Sequence, residues 1–223
     1  MGAEPDRMQP LDLASGTAPL RLLCLGAHAD DIEIGCGGTL LELLARRPGT
    51  QVTWVVFSTP GVREAEARAG AARFLERAER QELVLGKFRD GYFPYQGAEI
   101  KDFIEGLKQR VSPDVVFTHF RDDRHQDHRT ISDLTWNTWR NHLVLEYEIP
   151  KYEGDLGQPN FFVQLDEITS RRKIEFLLEC FPSQRKRHWF TADTFHGMMR
   201  LRGLESHSSS GMAEAFHCRK MVL

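Results

Sequence analysis

Short apolar runs alternate with longer helix-forming segments in this sequence, and that order constrains the fold more than any other feature. Residues 20–25 form one strand-length apolar run, and residues 52–57 form a second that is rich in β-branched and aromatic side chains. Residues 115–118 form another after Pro113. Because parallel strands need a crossover between them, this order predicts an α/β fold with a mostly parallel sheet covered by helices on both faces.

The remaining elements follow from periodicity and from helix-breaking residues. Helices are predicted over about 31–47, 62–80, 100–111 and 174–181. Further strands are predicted at 83–85, 143–149 and 161–165. Apolar and polar residues alternate between Leu143 and Ile149, a pattern typical of a half-exposed strand. The elements beyond residue 142 are interpreted as a C-terminal α/β extension of the same domain.

The composition is that of a globular protein and excludes several functional classes. A net charge of −3 over 223 residues provides no basic field for nucleic acid or membrane surfaces. No apolar run approaches the roughly 18 residues of a membrane span.

Residues 1–19 are polar, lack a signal-peptide core and are predicted to be flexible, which leaves one domain over 20–223. The four cysteines have no C-x-x-C spacing, so we expect free thiols and a cytoplasmic protein.

Two clusters of histidine and aspartate follow two of the predicted strands. Residues 28–31 read His-Ala-Asp-Asp after the first strand, and residues 119–128 follow the strand at 115–118. Ligands of such sheets bind outside the carboxyl ends of the strands, so both clusters should face one crevice.

The residue types in this crevice are those of a catalytic metal site. Such a site needs about three protein ligands and an open position for water. His28 and Asp31 lie three residues apart in a strand-to-helix turn, and a histidine of the 125–128 segment would complete the set. The residues alone leave open which histidine that is. They also provide a spare carboxylate and a spare histidine for proton transfer.

These motifs resemble a known family. His28-Ala29-Asp30-Asp31, with Gly35 and Gly37-Gly38, resembles the AH[PA]DD segment of the PIG-L/LmbE-like de-N-acetylases. His125-Gln126-Asp127-His128 resembles their HxDH segment, and the similarity extends to Ala213-Glu214-Ala215-Phe216. The resemblance implies a Rossmann-like fold, a zinc ion and hydrolysis of the N-acetyl group of a glucosamine-type sugar or conjugate. The implied partner is a small amino-sugar substrate, and a homo-oligomer is compatible because some relatives are trimers or hexamers.

The resemblance also implies roles for individual residues. His28, Asp31 and His128 match the family's zinc ligands, Asp30 its general base, and His125 the histidine that stabilises the intermediate or protonates the amine. Asp127 matches a carboxylate that orients a neighbouring histidine. Arg63 matches an arginine that contacts substrate hydroxyls in some relatives, and Asp90 lies where relatives often have a pocket carboxylate, so both are predicted to bind substrate. The sequence departs from the family at Ala29, often proline, and at Met212, near which several relatives have a tyrosine.

Two alternatives from other functional classes remain open on the sequence. His28-Ala29-Asp30 with a distant histidine also fits a non-haem Fe(II) oxygenase, although those enzymes are all-β barrels. Gly35-Cys36-Gly37-Gly38 could be a phosphate loop of a metal-free nucleotide-binding module, but its spacing is not G-x-G-x-x-G. Close packing of a helix near the metal is a simpler reason for these glycines.

Overall fold

The computed structural model describes residues 19–222, and in this part of the chain a seven-stranded sheet lies between two layers of helices. The strands are β1 Arg21–Gly26, β2 Gln51–Val56, β3 Arg80–Leu85, β4 Val115–His119, β5 Leu143–Tyr147, β6 Phe161–Gln164 and β7 Ala213–Cys218. The helices are α1 Asp31–Arg46, α2 Val62–Phe74, α3 Gly97–Lys108, α4 Gln126–Thr138, α5 Glu167–Cys180 and α6 Ala192–Glu205. Short 3-10 helices cover Phe93–Gln96 and Pro182–Gln184. The predicted α/β fold class is confirmed.

The strand order explains where a ligand site can form. The order across the sheet is β3-β2-β1-β4-β5-β7-β6. Strands β1 to β5 are parallel, whereas β7 is antiparallel to both β5 and β6. The chain leaves β1 toward β2 on one side and returns to β4 on the other. The carboxyl ends of β1 and β4 therefore flank the topological switch point, where such sheets open a crevice.

The core consists of two apolar layers, one on each face of the sheet. Successive residues of β1 alternate between them: Leu22 and Cys24 belong to the layer under α1, α2 and α5, and Leu23 and Leu25 to the layer under α3 and α4. Because β1 is buried on both faces, it appears in the sequence as a continuous apolar run.

The second helix and third strand have different bounds from those predicted. Helix α2 ends at Phe74 rather than near residue 80, and β3 begins at Arg80 rather than at Leu83. Arg80 pairs with Gln51 of β2 in a parallel register that continues to Leu85. β3 lies at the edge of the sheet, so its first residues are exposed and polar and resemble a helix end in the sequence.

The prediction of a half-exposed strand after residue 142 is wrong. β5 lies between β4 and β7 and is buried along almost its whole length. Glu146 is fully buried there because three groups satisfy its carboxylate: the Arg219 guanidinium, the Trp136 indole N–H and the Arg121 backbone N–H. The alternation of polar and apolar residues in 143–149 therefore does not indicate an exposed face, because buried partners satisfy the polar side chain of Glu146.

Helices α4 and α6 and strand β7 were not predicted. The buried face of α4 includes Ser132, Thr135 and Thr138, so it lacks an apolar stripe. In α6 the buried face includes Arg202, whose guanidinium pairs with Glu148 at 2.8 Å.

The predicted flexibility of residues 1–19 falls almost entirely outside the described residues. No helix in 19–222 combines the length and apolar character that a membrane crossing requires.

The glycines of α1 permit close packing rather than forming a phosphate loop. A Cβ on Gly35 would lie 2.2 Å from the Tyr147 ring, and one on Gly38 would lie 2.9 Å from the Glu214 carboxylate. Glu214 accepts hydrogen bonds from the backbone N–H groups of Gly38 and Thr39 at 2.8 and 2.7 Å. The C-terminal strand β7 therefore fixes the helix that follows the first histidine cluster.

Candidate active site and metal centre

The first cluster lies in the turn between β1 and α1. β1 ends at Gly26, and α1 starts at Asp31 with Asp30 as its N-cap. The backbone N–H of His28 donates to Asp31 Oδ2 at 2.6 Å, which closes the turn. This local bond orients the carboxylate of Asp31, whose Oδ2 also lies 3.4 Å from Nδ1 of the His28 ring.

The second cluster lies at the start of α4, just beyond β4. His125 is the N-cap of α4, and its Nδ1 accepts the backbone N–H of Asp127 at 3.3 Å. Asp127 and His128 are buried in the first turn of this helix. The His125 ring lies 4.9 Å from that of His28 and 4.5 Å from that of His128, measured between centroids. The structure thus brings both clusters together at the predicted edge of the sheet.

Three side chains of these clusters, those of His28, Asp31 and His128, form a triangle, in which a different oxygen of Asp31 faces each histidine. His28 Nδ1 lies 3.2 Å from His128 Nε2 and 3.4 Å from Asp31 Oδ2. His128 Nε2 lies 3.6 Å from Asp31 Oδ1. A tetrahedral zinc ion with bonds of about 2.0–2.2 Å separates its ligand atoms by about 3.3–3.6 Å. The two-nitrogen, one-oxygen set therefore has the chemistry and the spacing to hold such an ion.

Both histidines of the triangle bind a carboxylate through their other nitrogen. His28 Nε2 lies 3.2 Å from Asp127 Oδ2, and His128 Nδ1 lies 2.9 Å from Asp123 Oδ2. A proton on each of these nitrogens leaves the lone pair of the opposite nitrogen free for a metal. Carboxylate partners of this kind fix the tautomer and ring orientation of metal-binding histidines.

His119 offers a competing set of donors with Asp31 and His128. Its Nε2, however, accepts the backbone N–H of Ala27 at 2.9 Å, and its ring stacks on that of His128 at 3.9 Å. Because this lone pair already has a donor, His119 fits a supporting role better than a ligand role.

The pKa values of the three proposed ligands shift in different directions, and the carboxylates of Asp31, Asp127 and Asp90 raise that of His28 against the effect of burial. Burial would raise the pKa of Asp31, but His128, His119 and His28 together hold it well below its usual value. Burial also lowers the pKa of His128 to about 3. A site with ionised carboxylates and a neutral imidazole suits a divalent cation.

Asp30, the predicted general base, is buried and forms an ion pair. Its Oδ1 lies 2.7 Å from Nη2 of Arg63. Burial raises the pKa of Asp30 to about 6, with Arg63 opposing the shift and Asp31 adding to it. For His125, burial and the neighbouring His28 lower the pKa below its usual value.

The two predicted substrate-contact residues lie at the site in different environments. Asp90 Oδ1 lies 3.1 Å from His28 Nε2, and its side chain is 60% exposed, so it borders the crevice. Gly91 beside it has φ of +78° and donates its N–H to Asp127 Oδ2 at 2.6 Å. Arg63 is only 14% exposed and is engaged by two carboxylates.

Several residues at the site were missed by sequence reasoning. Asp123 accepts the His125 backbone N–H at 2.7 Å as well as the His128 ring, and Lys151 Nζ lies 2.8 Å from the same carboxylate. The Asp122-Asp123 pair within 119–128 was a visible signal for the carboxylate. Nothing in the sequence pointed to Lys151, because it follows β5 and reaches the site only through the fold.

Comparison with known proteins identifies the family. The sequence model described as PIG-L, GlcNAc-PI de-N-acetylase, matches residues 23–139, which is more than half of the chain. The chain belongs to the PIG-L family. The matched region includes both histidine clusters and ends within one residue of the end of α4. The predicted family membership is confirmed, and it places the chain in a family of deacetylase enzymes.

One curated relative and two solved structures are similar to this chain. The chain is 28% identical over 154 residues to the "Uncharacterized deacetylase YaiS" of Escherichia coli K12, covering 62% of this chain and 78% of that protein. It is similar in structure to the N,N'-diacetylchitobiose deacetylase of Pyrococcus horikoshii, with a TM-score of 0.70, 18% identity, and coverage of 89% and 83% of the two chains. It also resembles GalB, a 4-carboxy-2-hydroxymuconate hydratase of Pseudomonas putida, with a TM-score of 0.68, 15% identity, and coverage of 92% and 98%. At these identities the two structures establish the shared fold alone.

Proposed function

We propose that this PIG-L family member is a zinc-dependent hydrolase that removes the acetyl group from an N-acetylated amino sugar or its conjugate. The products are acetate and a free amine. The observation that carries the proposal is the triangle of His28 Nδ1, Asp31 and His128 Nε2, with a carboxylate behind each imidazole.

His28, Asp31 and His128 are the proposed zinc ligands. When bound, zinc would polarise the acetyl carbonyl and bring the pKa of a water molecule to about 7. Asp127 and Asp123 keep the two imidazoles in the tautomers that leave His28 Nδ1 and His128 Nε2 unprotonated.

The proton transfers are assigned to Asp30 and His125. Asp30 accepts a proton from the water that attacks the amide carbon. His125, whose ring lies beside both ligand histidines, donates a proton to the amide nitrogen as the carbon–nitrogen bond breaks. Water thus supplies the second oxygen of acetate, the amine leaves neutral, and exchange with solvent returns the proton of Asp30 to His125.

The names of similar proteins and the border of the crevice support a sugar substrate. The family description refers to an N-acetylglucosamine conjugate, and the Pyrococcus structure to an acetylated disaccharide. The exposed carboxylate of Asp90 at the crevice is suited to accept hydrogen bonds from sugar hydroxyls.

The decisive experiment is an assay of amine release over a panel of N-acetylated sugars, with purified protein of measured metal content. We expect about one zinc per chain and release of one acetate per amine. Removal of zinc by a chelator should abolish release, and added zinc should restore it.

The same assay separates the proposal from its alternatives. Iron in the protein with oxygen consumption would identify an oxygenase, and nucleotide binding without metal would identify a binding module. Addition of water to an unsaturated carboxylic acid, without release of amine from any sugar, would identify a hydratase like GalB. His196→Ala, at an exposed histidine of α6, is a matched control for histidine substitutions.

A further inference from the structure

Arg63 is surrounded by acceptors of this chain itself. Its Nη2 lies 2.7 Å from Asp30 Oδ1, and its Nη1 lies 2.6 Å from Glu66 Oε2. Arg63 and Glu66 are three residues apart on α2, so they share one face of that helix. The guanidinium therefore bridges the helix to the residue that we assign as general base.

Glu66 is itself held from a distant part of the chain. Ser183, in the 3-10 helix after α5, donates its backbone N–H to Glu66 Oε1 and its hydroxyl to Glu66 Oε2, both at 2.8 Å. Its hydroxyl oxygen also lies 3.4 Å from Arg63 Nη1. The result is a chain of contacts from Ser183 through Glu66 and Arg63 to Asp30.

The surroundings of Arg63 leave little room for a substrate. Its side chain is 14% exposed, and those of Asp30 and Glu66 are 8% and 7% exposed. The Phe181 ring centre lies 5.4 Å from the guanidinium carbon. Two carboxylates thus engage both terminal nitrogens of the guanidinium, with which an arginine would bind sugar hydroxyls, and an aromatic ring lies over it.

We propose that Arg63 is a positioning residue that holds the Asp30 carboxylate in place, and that Glu66 and Ser183 fix Arg63 for this task. The inference rests on the proposed function, because it gives Asp30 a part in the reaction. It differs from the sequence-based prediction, in which Arg63 contacts the substrate. A misplaced catalytic group slows the chemical step, whereas a lost substrate contact weakens binding.

The test is the kinetics of Arg63→Met, Arg63→Lys, Glu66→Gln and Ser183→Ala with an acetylated sugar that the wild type deacetylates. We expect kcat to fall about 10–100-fold in Arg63→Met, with KM within about twofold of wild type and zinc content unchanged. Arg63→Lys should recover part of the lost kcat. Glu66→Gln and Ser183→Ala should lower kcat by successively smaller factors. Arg68→Met is the matched control, because Arg68 is exposed on the same helix and pairs with Glu64.

A double-variant cycle adds a readout that a purely structural role would not produce. If Glu66 acts through Arg63, the loss of kcat in Glu66→Gln/Arg63→Met should be close to that of Arg63→Met alone. If Arg63→Met does not fold, Ser183→Ala, which removes only one hydroxyl, provides the test. A lower kcat at unchanged KM would support the positioning role.

The possible failures are distinct. Variants of Arg63 or Ser183 that raise KM and leave kcat unchanged would overturn the inference and support a substrate contact. Unchanged kinetics in all four variants would also overturn it. A wild type that releases no amine from any acetylated sugar would overturn the proposed function, and with it the role given to Asp30.

Discussion

The part of the chain that matches the family model and the part beyond it contribute differently to the site. The matched residues, 23–139, provide every side chain that we assign to metal binding or proton transfer. The residues beyond 139 reach the site through partners: Lys151 contacts Asp123, Ser183 contacts Glu66, and Glu214 binds the backbone of α1. The first region carries the reactive groups and the side chains that contact them directly, and the second contacts those supporting side chains and the backbone of α1.

This difference has a structural reason. β1 and β4 are adjacent in the sheet, so two short turns are enough to assemble the donor triangle. The partners beyond residue 139 enter from loops and strands that only the complete sheet brings close. The predictions below test whether the two regions contribute in these different ways.

The largest effect should come from the proposed ligands themselves. His28→Ala, Asp31→Ala and His128→Ala should each lose most of the roughly one zinc per chain and, with it, deacetylation. Each removes one corner of the triangle and leaves too few donors. Zinc content by elemental analysis decides this, and full retention in all three variants would refute the ligand assignment.

Asp30 and Asp31 are adjacent and have identical side chains, yet their substitutions should have different effects on zinc content and turnover. Asp30→Asn should keep its zinc while turnover falls by about 10²–10⁴, because an amide cannot accept the proton. Asp31→Asn should weaken zinc binding, and added zinc should restore part of its activity. Zinc content and turnover are measured for both. Loss of zinc in Asp30→Asn alone would reverse the two roles.

Substitution of Asp123 tests a supporting contact within the matched region, the one that Asp123 makes with the proposed ligand His128. Asp123→Asn should weaken zinc affinity about 10–100-fold, because the His128 ring loses its charged acceptor at 2.9 Å. Affinity is measured by competition with a chelator of known strength. Asp133→Asn, at an exposed position of α4, is the control. Equal affinities in the two variants would show that Asp123 does not support His128.

The smallest effect is expected beyond residue 139. The Tyr147 hydroxyl donates to the backbone carbonyl of Leu25 at 2.6 Å, which ties β5 to the end of β1. Tyr147→Phe should lower the free energy of unfolding by about 1 kcal/mol and Tm by about 2–4 °C. Zinc content should stay unchanged. A loss of zinc without a loss of stability would show that Tyr147 acts on the metal site rather than on the fold.

The sequence by itself determined the order of the elements from β1 to β4 and the place of the site. Continuous apolar runs mark strands buried on both faces, and their carboxyl ends must meet at one edge of a parallel sheet. The two histidine clusters could therefore be assigned to one crevice from their positions after β1 and β4 alone. Their assigned roles as ligands, base and acid stay predictions that the substitutions above test.

The tertiary structure decided which partner each of these side chains has. Sequence patterns record the burial of apolar groups, but a buried charge depends on a partner that is often far away in the chain. Glu146 looked like a solvent-facing residue because its partners, among them Arg219, come from other elements. The family resemblance predicts a substrate contact for Arg63, and only the fold shows that Asp30 and Glu66 lie on either side of its guanidinium. Charge pairing across the fold, rather than local pattern, therefore sets the orientation of the groups in this site.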